Sequence, residues 1–258
     1  MGKQSKSPVK SNKPLDRDLI KYVAIVTMTL NHVAKVFLTP GTALYESFIY
    51  IGYFTMPVMC YFLVEGFRYT RSKVNYGMRL LIFAALSELP FCMAFSGASG
   101  EGEALTFCGM NMIFTLALCY YMVWALSALQ SAFLKILAVF VACFVSTFSD
   151  WGLIAPMFTL LFQWAGKDAE KIKGAFVAAT LLLGLYRFLG VYTVWSEADS
   201  IVYALKNMLG PALAGLVIVF GYNGRRMEKG RSFSKWFFYA YYPLHLAILG
   251  TLRMWVLE

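Results

Sequence analysis

Nine apolar stretches, each near the length that crosses a bilayer, follow one another along this chain with only short polar breaks. They fall at 19–38, 48–69, 77–95, 111–129, 131–148, 151–165, 173–192, 203–221 and 234–257. At 1.5 Å rise per residue, about 20 helical residues cover roughly 30 Å of hydrocarbon. Inside hydrocarbon a backbone must satisfy its own polar groups, which a helix does segment by segment. The pattern predicts an all-α, polytopic membrane bundle of about nine transmembrane helices. Residues 19–258 form one domain in this reading, behind a basic, disordered tail at 1–18. Only 14% of residues are charged, against roughly a quarter in soluble domains. The first apolar run is long enough to span and no small-residue cleavage site follows it, so a retained helix is expected rather than a signal peptide. The stretch at 151–165 is the shortest and carries Pro156.

Charge placement gives orientation. With the N-terminus inside and nine helices following, 19 of the 23 lysines and arginines fall on the inner side. Lys35, Arg187, Lys206 and Arg253 are the exceptions, while Glu46, Glu101, Glu103, Glu197 and Asp199 lie outside. Such asymmetry is the signature of cytoplasmic loops, and it predicts a multi-pass protein of the bacterial cytoplasmic membrane with a cytoplasmic N-terminus. It also accounts for the net charge of +9 without a nucleic-acid partner, because the basic residues form short clusters between apolar runs and not one continuous face.

Ionisable groups within spans are costly and so are candidates for function. They are Asn31 and His32 in the first helix, Glu65 in the second, Glu88 in the third, Arg187 in the seventh and His245 in the ninth. Asn111 and Asp150 lie near outer helix ends. Counting 1.5 Å per residue from the inner boundaries puts His32 about 20 Å up, Glu88 about 16 Å, Arg187 about 21 Å and His245 about 16 Å. The sequence therefore predicts that these four share one layer and one chamber, with a structural Glu88–Arg187 ion pair as the plainer alternative. Glu65, about 6 Å from the inner surface by the same count, stands apart. Pro243, two residues before His245, predicts a distorted helix there. Cys92 and Cys108 flank one outer loop, where a disulfide is one option; no CxxC or His/Cys set suggests a metal.

Several strings then occur in a telling order. Asp18-Leu19-Ile20-Lys21-Tyr22 leads to Asn31-His32, and Phe54-x-x-Pro57 runs to Val64-Glu65-Gly66-Phe67. Tyr76-x-x-Arg79-Leu80 is followed by Ser87-Glu88-x-Pro90-Phe91, then Asn111-x-x-Phe114-Thr115, Ser149-Asp150-x-Gly152 and Tyr241-Tyr242-Pro243-x-His245. Over most of residues 18–250 the chain resembles the TraX family of conjugation-associated membrane proteins. That family usually shows Asp-His where this chain has Asn31-His32. The resemblance implies membrane acyl transfer from acetyl-CoA. The acceptor it implies is an amine or hydroxyl of a pilin-like peptide, a glycan or a small molecule.

Combined with the residues, this predicts an acetyltransferase in which His32 is the general base. Glu88 or His245 would orient His32 or relay the proton, and Arg187 or Asn111 would stabilise the oxyanion. Arg68, Arg71, Lys73, Arg79, Arg225 and Arg226 would hold the cofactor phosphates from the inner loops. Asn31, Glu65 and Asp150 are the candidates for substrate binding. A proton-coupled membrane transporter is the alternative, since intramembrane His, Glu and Arg equally suit a proton relay.

Overall fold

The computed structural model describes residues 13–96 and 107–257. The expected tail over residues 1–12 and the loop acids Glu101 and Glu103 lie outside the described residues. From Lys13 onward the tail is held in place. Leu15 N–H donates to the Gly221 carbonyl at 3.1 Å, Asn223 N–H to the Leu15 carbonyl at 2.9 Å, and Arg17 N–H to the Arg225 carbonyl at 2.9 Å.

The described residues form α1 (Arg17–Phe37), α2 (Ala43–Gly52), α3 (Thr55–Tyr69), α4 (Lys73–Phe95) and α5 (Met112–Ala128). Then come α6 (Ala132–Ser146), α7 (Ile154–Ala165), α8 (Ala169–Val191), α9 (Glu197–Leu216) with a π turn at Val217–Gly221, and α10 (Arg231–Leu257). Each of the nine expected stretches falls on helix. Among the described residues, five spans are long and apolar enough to cross a membrane: α1, α2 with α3, α4, α8, and α9 with its π turn. Helices α5, α6 and α7 are apolar but have 17, 15 and 12 residues, or roughly 26, 23 and 18 Å of rise.

Polar caps set the helix starts. Asp16 accepts from Leu19 N–H, Ser72 from Asn75 N–H, and Asp168 from Glu170 and Lys171 N–H, each satisfying donors that a first turn leaves open. The second expected span is two helices. They meet at Tyr53–Phe54, where α9 crosses so closely that a Cβ on Gly210 would lie 2.5 Å from the Tyr53 carbonyl carbon. A side chain there would displace backbone, so glycine is what lets α9 dock.

Helix α3 is the axis of the bundle. Met56, Val58, Cys60, Phe62, Leu63 and Val64 are all buried, and α1, α5, α7 and α9 pack around them. The outer surface is apolar. On α6, Phe133, Ile136, Phe140 and Phe144 are exposed, and on α8 Val177, Leu181 and Leu185 are. A soluble monomer would not present such continuous apolar faces; lipid accepts them. The protein is a multi-pass membrane bundle.

Candidate functional site

The two histidines are 213 residues apart in sequence and in direct contact. His32 Nδ1 lies 2.8 Å from His245 Nε2, the rings nearly parallel at 7°. His245 Nδ1 lies 2.9 Å from the Tyr241 carbonyl oxygen. A carbonyl only accepts, so His245 Nδ1 carries a proton and, in the neutral ring, its Nε2 carries the lone pair. His32 must then donate from Nδ1, which leaves the lone pair of neutral His32 on Nε2. No described residue hydrogen-bonds that nitrogen. One backbone carbonyl thus fixes the tautomers of two rings in series, and the outcome is an unprotonated imidazole nitrogen, on a buried residue, held in a single orientation.

Aromatic side chains enclose the pair. Phe95 meets His32 edge-on at 5.3 Å. Tyr242 lies edge-on to both imidazoles, at 6.2 and 5.5 Å, and Tyr241 stacks on His245 at 5.0 Å. Thr29 and Tyr241 share a hydroxyl hydrogen bond of 2.8 Å, and Met112 N–H donates to Tyr242 Oη at 3.3 Å.

Tyr241 and Tyr242 also end a cavity of about 660 Å³ that reaches inward from the face where the chain's basic loops gather. Arg17, Lys21, Arg71, Arg79, Arg226, Arg231 and Lys235 line it, with Asp18 as the one acid on its wall. Asp18 is already engaged, accepting from Met227 N–H at 3.0 Å and Ser234 Oγ–H at 2.7 Å. Lys21 Nζ stands 4.0 Å over the Phe238 ring, and the Arg79 guanidinium lies over Tyr76 and Tyr239. Arg79 Nε is buried with no partner among the described residues. The wall therefore offers several cations and flat aromatic faces, the chemistry that takes phosphates and a planar ring.

The expected four-residue chamber is only half formed. His32 and His245 meet, but behind the tyrosine floor and not on the cavity wall. Glu88 pairs with Asn111, whose Nδ2 donates to Glu88 Oε2 at 2.6 Å, while Asn111 Oδ1 caps α5 by accepting from Ile113 N–H at 3.0 Å. The Glu88–Arg187 ion pair is absent among the described residues; Arg187 Nη2 instead lies 3.4 Å from Tyr53 Oη, its guanidinium over that ring. The residue counts give Glu88 and Arg187 similar heights, but their helices face different neighbours.

Among the expected phosphate ligands, Arg71, Arg79 and Arg226 line the cavity, whereas Arg68, Lys73 and Arg225 do not. Arg68 donates to the carbonyls of Gly166, Phe162 and Gln163, closing the end of α7. Lys73 lies over Phe67 at 4.3 Å, and Arg225 anchors Arg17 through its backbone carbonyl. Arg17, Lys21, Arg231 and Lys235 were counted only as topology charges. Their signal was the i, i+4 spacing, twice, which puts two cations on one face of a helix.

The expected substrate residues separate as well. Asn31 Nδ2 donates to the Ile49 carbonyl at 3.1 Å and ties α1 to α2. Asp150 is fixed through its backbone, its carbonyl accepting from Thr115 Oγ–H at 2.7 Å. It precedes Trp151, which holds φ 59°, a left-handed conformation uncommon outside glycine. Glu65 accepts from Tyr222 Oη at 2.9 Å and pairs with Arg17 Nη1 at 3.7 Å. Burial, with the Glu65 carboxylate beside it, holds the Tyr222 hydroxyl well above its usual range, so it remains a donor. Glu65 lines a second cavity of about 620 Å³.

Residues 16–253 match the family described as TraX protein. The chain is 31% identical over 243 residues to a probable fimbrial assembly protein FimC (serogroup H1) of Dichelobacter nodosus, covering 92% of this chain and 95% of that one. No solved structure matches. With the match running from the start of α1 nearly to the end of α10, the chain belongs to the TraX family.

Proposed function

We propose that this protein is a membrane-embedded acetyltransferase. It takes the acetyl group from acetyl-CoA held in the basic cavity and passes it to an amine or hydroxyl of an acceptor connected with pili or fimbriae. The observation that carries this reading is the tautomer-fixed His32–His245 pair, packed behind Tyr241 and Tyr242 of a cavity lined by seven cations and one engaged acid. In this reading all nine helical passes cross the cytoplasmic membrane of a bacterium, and the basic face is cytoplasmic, where acetyl-CoA is found.

The residues that would hold the cofactor are Arg17, Lys21, Arg71, Arg79, Arg226 and Lys235, with Tyr76 and Tyr239 offering ring faces. The thioester reaches the imidazole when Tyr242, which lies against both rings, gives way. His32 Nε2 takes the proton of the acceptor N–H or O–H as that atom bonds to the acyl carbon. The C–S bond then breaks, and the proton passes to the departing thiolate. While His32 is cationic it keeps donating to His245 Nε2, and His245 to the Tyr241 carbonyl, so the charge is spread without a carboxylate. Glu88 and Asn111, paired beside the Tyr242 end, stand on the acceptor side.

The test is release of CoA thiol from acetyl-CoA by purified protein with a peptide amine or fimbrial subunit as acceptor. His32→Ala should lower turnover by roughly 10²–10⁴-fold, the usual contribution of a general base, with the melting temperature close to the parent's. A folded His32→Ala protein of unchanged turnover rejects His32 as the base. Failure of acetyl-CoA to stabilise the protein, together with solute-coupled proton flux in liposomes, would replace the reading with a transporter.

A further inference from the structure

We propose that the second cavity, between α3, α7, α8 and the π turn, seats an anionic phospholipid from the leaflet at the basic face. This goes beyond the transfer reaction and does not depend on it. The cavity, of about 620 Å³, has a mixed lining. Lys13, Arg68, Lys167 and Lys173 contribute cations, and Phe162, Ile172, Ile218 and Phe220 contribute apolar surface. Its one acid, Glu65, is spoken for by Arg17 and Tyr222, so it leaves the positive field of the rim intact.

The cations are not equivalent. Arg68 spends its donors on the α7 carbonyls and Lys13 donates to the Val219 carbonyl at 2.6 Å; these two build the wall. Lys167 rests over the Tyr69 ring at 4.9 Å, which leaves its ammonium hydrogens for an incoming oxygen. Lys173 pairs with Glu170 in a bridge whose side chains are 46% and 80% exposed, the kind of pair that gives little stability and exchanges readily. Lys167 and Lys173 are thus the two cations of the lining open to a phosphate diester. Phe220 and Tyr69, 66% and 63% exposed, stand at the opening, as aromatic residues do at a membrane interface. A free anion would have no use for the apolar part of the lining. A lipid chain lying along Ile172 and Phe220 would.

The probe is phosphatidylglycerol against phosphatidylcholine. The full-length protein is released from bilayers containing the two in equal parts, and retained lipid is read by native mass spectrometry. The expected result is about tenfold enrichment of phosphatidylglycerol, from two juxtamembrane lysines acting together. Lys167→Gln with Lys173→Gln should return the ratio to parity. Stabilisation by acetyl-CoA should be unchanged in that double variant, because the other cavity is untouched. Equal retention of both lipids by the parent overturns the proposal, as does undiminished enrichment in the double variant. Displacement of the lipid by inorganic phosphate or glycerophosphoglycerol overturns it in favour of a plain anion site.

Discussion

Replacing His245 by Phe keeps a flat ring of similar size and removes both nitrogens. His32, only 4% exposed, then has an Nδ1–H with no acceptor where it had one at 2.8 Å. A buried donor left unsatisfied costs about 1–3 kcal/mol. The imidazole has an escape: it can move its proton to Nε2, leaving Nδ1 bare. That relieves the fold but occupies the nitrogen that takes the acceptor's proton in the proposed transfer. The penalty therefore moves from stability into rate, because the correct tautomer must be restored before each transfer. At 1.36 kcal/mol per factor of ten, the same 1–3 kcal/mol becomes a loss of roughly 5- to 150-fold in kcat. The KM for acetyl-CoA should hold, since no cation of the cavity is altered. His245→Gln supplies an amide oxygen that can accept from His32 Nδ1, so it should recover part of the loss. The assay is acceptor-dependent thiol release, with kcat and KM resolved and thermal melting alongside. A Phe variant within twofold of the parent in kcat, or a Gln variant worse than Phe, would refute the relay.

Two further outcomes test the packing and the outer loop. Gly210→Ala should destabilise by about 1–3 kcal/mol, because its Cβ would sit 2.5 Å from the Tyr53 carbonyl carbon, whereas Gly174→Ala, with nothing within 4 Å, should stabilise by about 0.5–1 kcal/mol through helix propensity; melting curves in one detergent compare them. The Cys108 thiol is pushed up to about 12 by burial first and by Cys92 second, so alkylation should be slow at pH 8 despite an exposed residue and quicken about tenfold per pH unit toward 11. The sign for stability follows: the fold keeps a proton that the unfolded chain releases above about 8.5, so this contribution is lost as pH rises from there to about 12. Cys92→Ala should ease the shift only in part, and labelling at pH 8 as fast as a free thiol's would show that burial does not govern Cys108.

The helices were legible because hydrocarbon enforces their length and apolarity, and the nine stretches chosen on that basis all fall on helix. The break between α2 and α3 was not, because it depends on α9 crossing at Gly210, a contact 157 residues distant in sequence. Depth was legible too: counting residues placed His32 and His245 in one layer, and they touch. Rotation about each helix axis was not, which is why Arg187 faces Tyr53 and Glu88 faces Asn111 although their heights suited each other. The basic loops were read as one population, yet Arg68 closes a helix end while Arg79 lines a cavity. Charge counting cannot separate a cation that has three carbonyl partners from one whose Nε has none. The orientation of the imidazoles was invisible for a similar reason, since it is set by a main-chain oxygen that every residue possesses.

Because His32 and His245 belong to the first and last helices described, the proposed base cannot be oriented in a partly made chain. A ribosome that has delivered α1 through α9 has produced a His32 with an uncommitted tautomer and a cavity without Tyr241 and Tyr242. Only the arrival of α10, lying along α4 and against α1, completes the histidine pair. On the proposed function the chain stays inert toward acetyl-CoA until its last helix has docked, and a nick or truncation that frees that helix would silence it while baring the face of α4 that it covers.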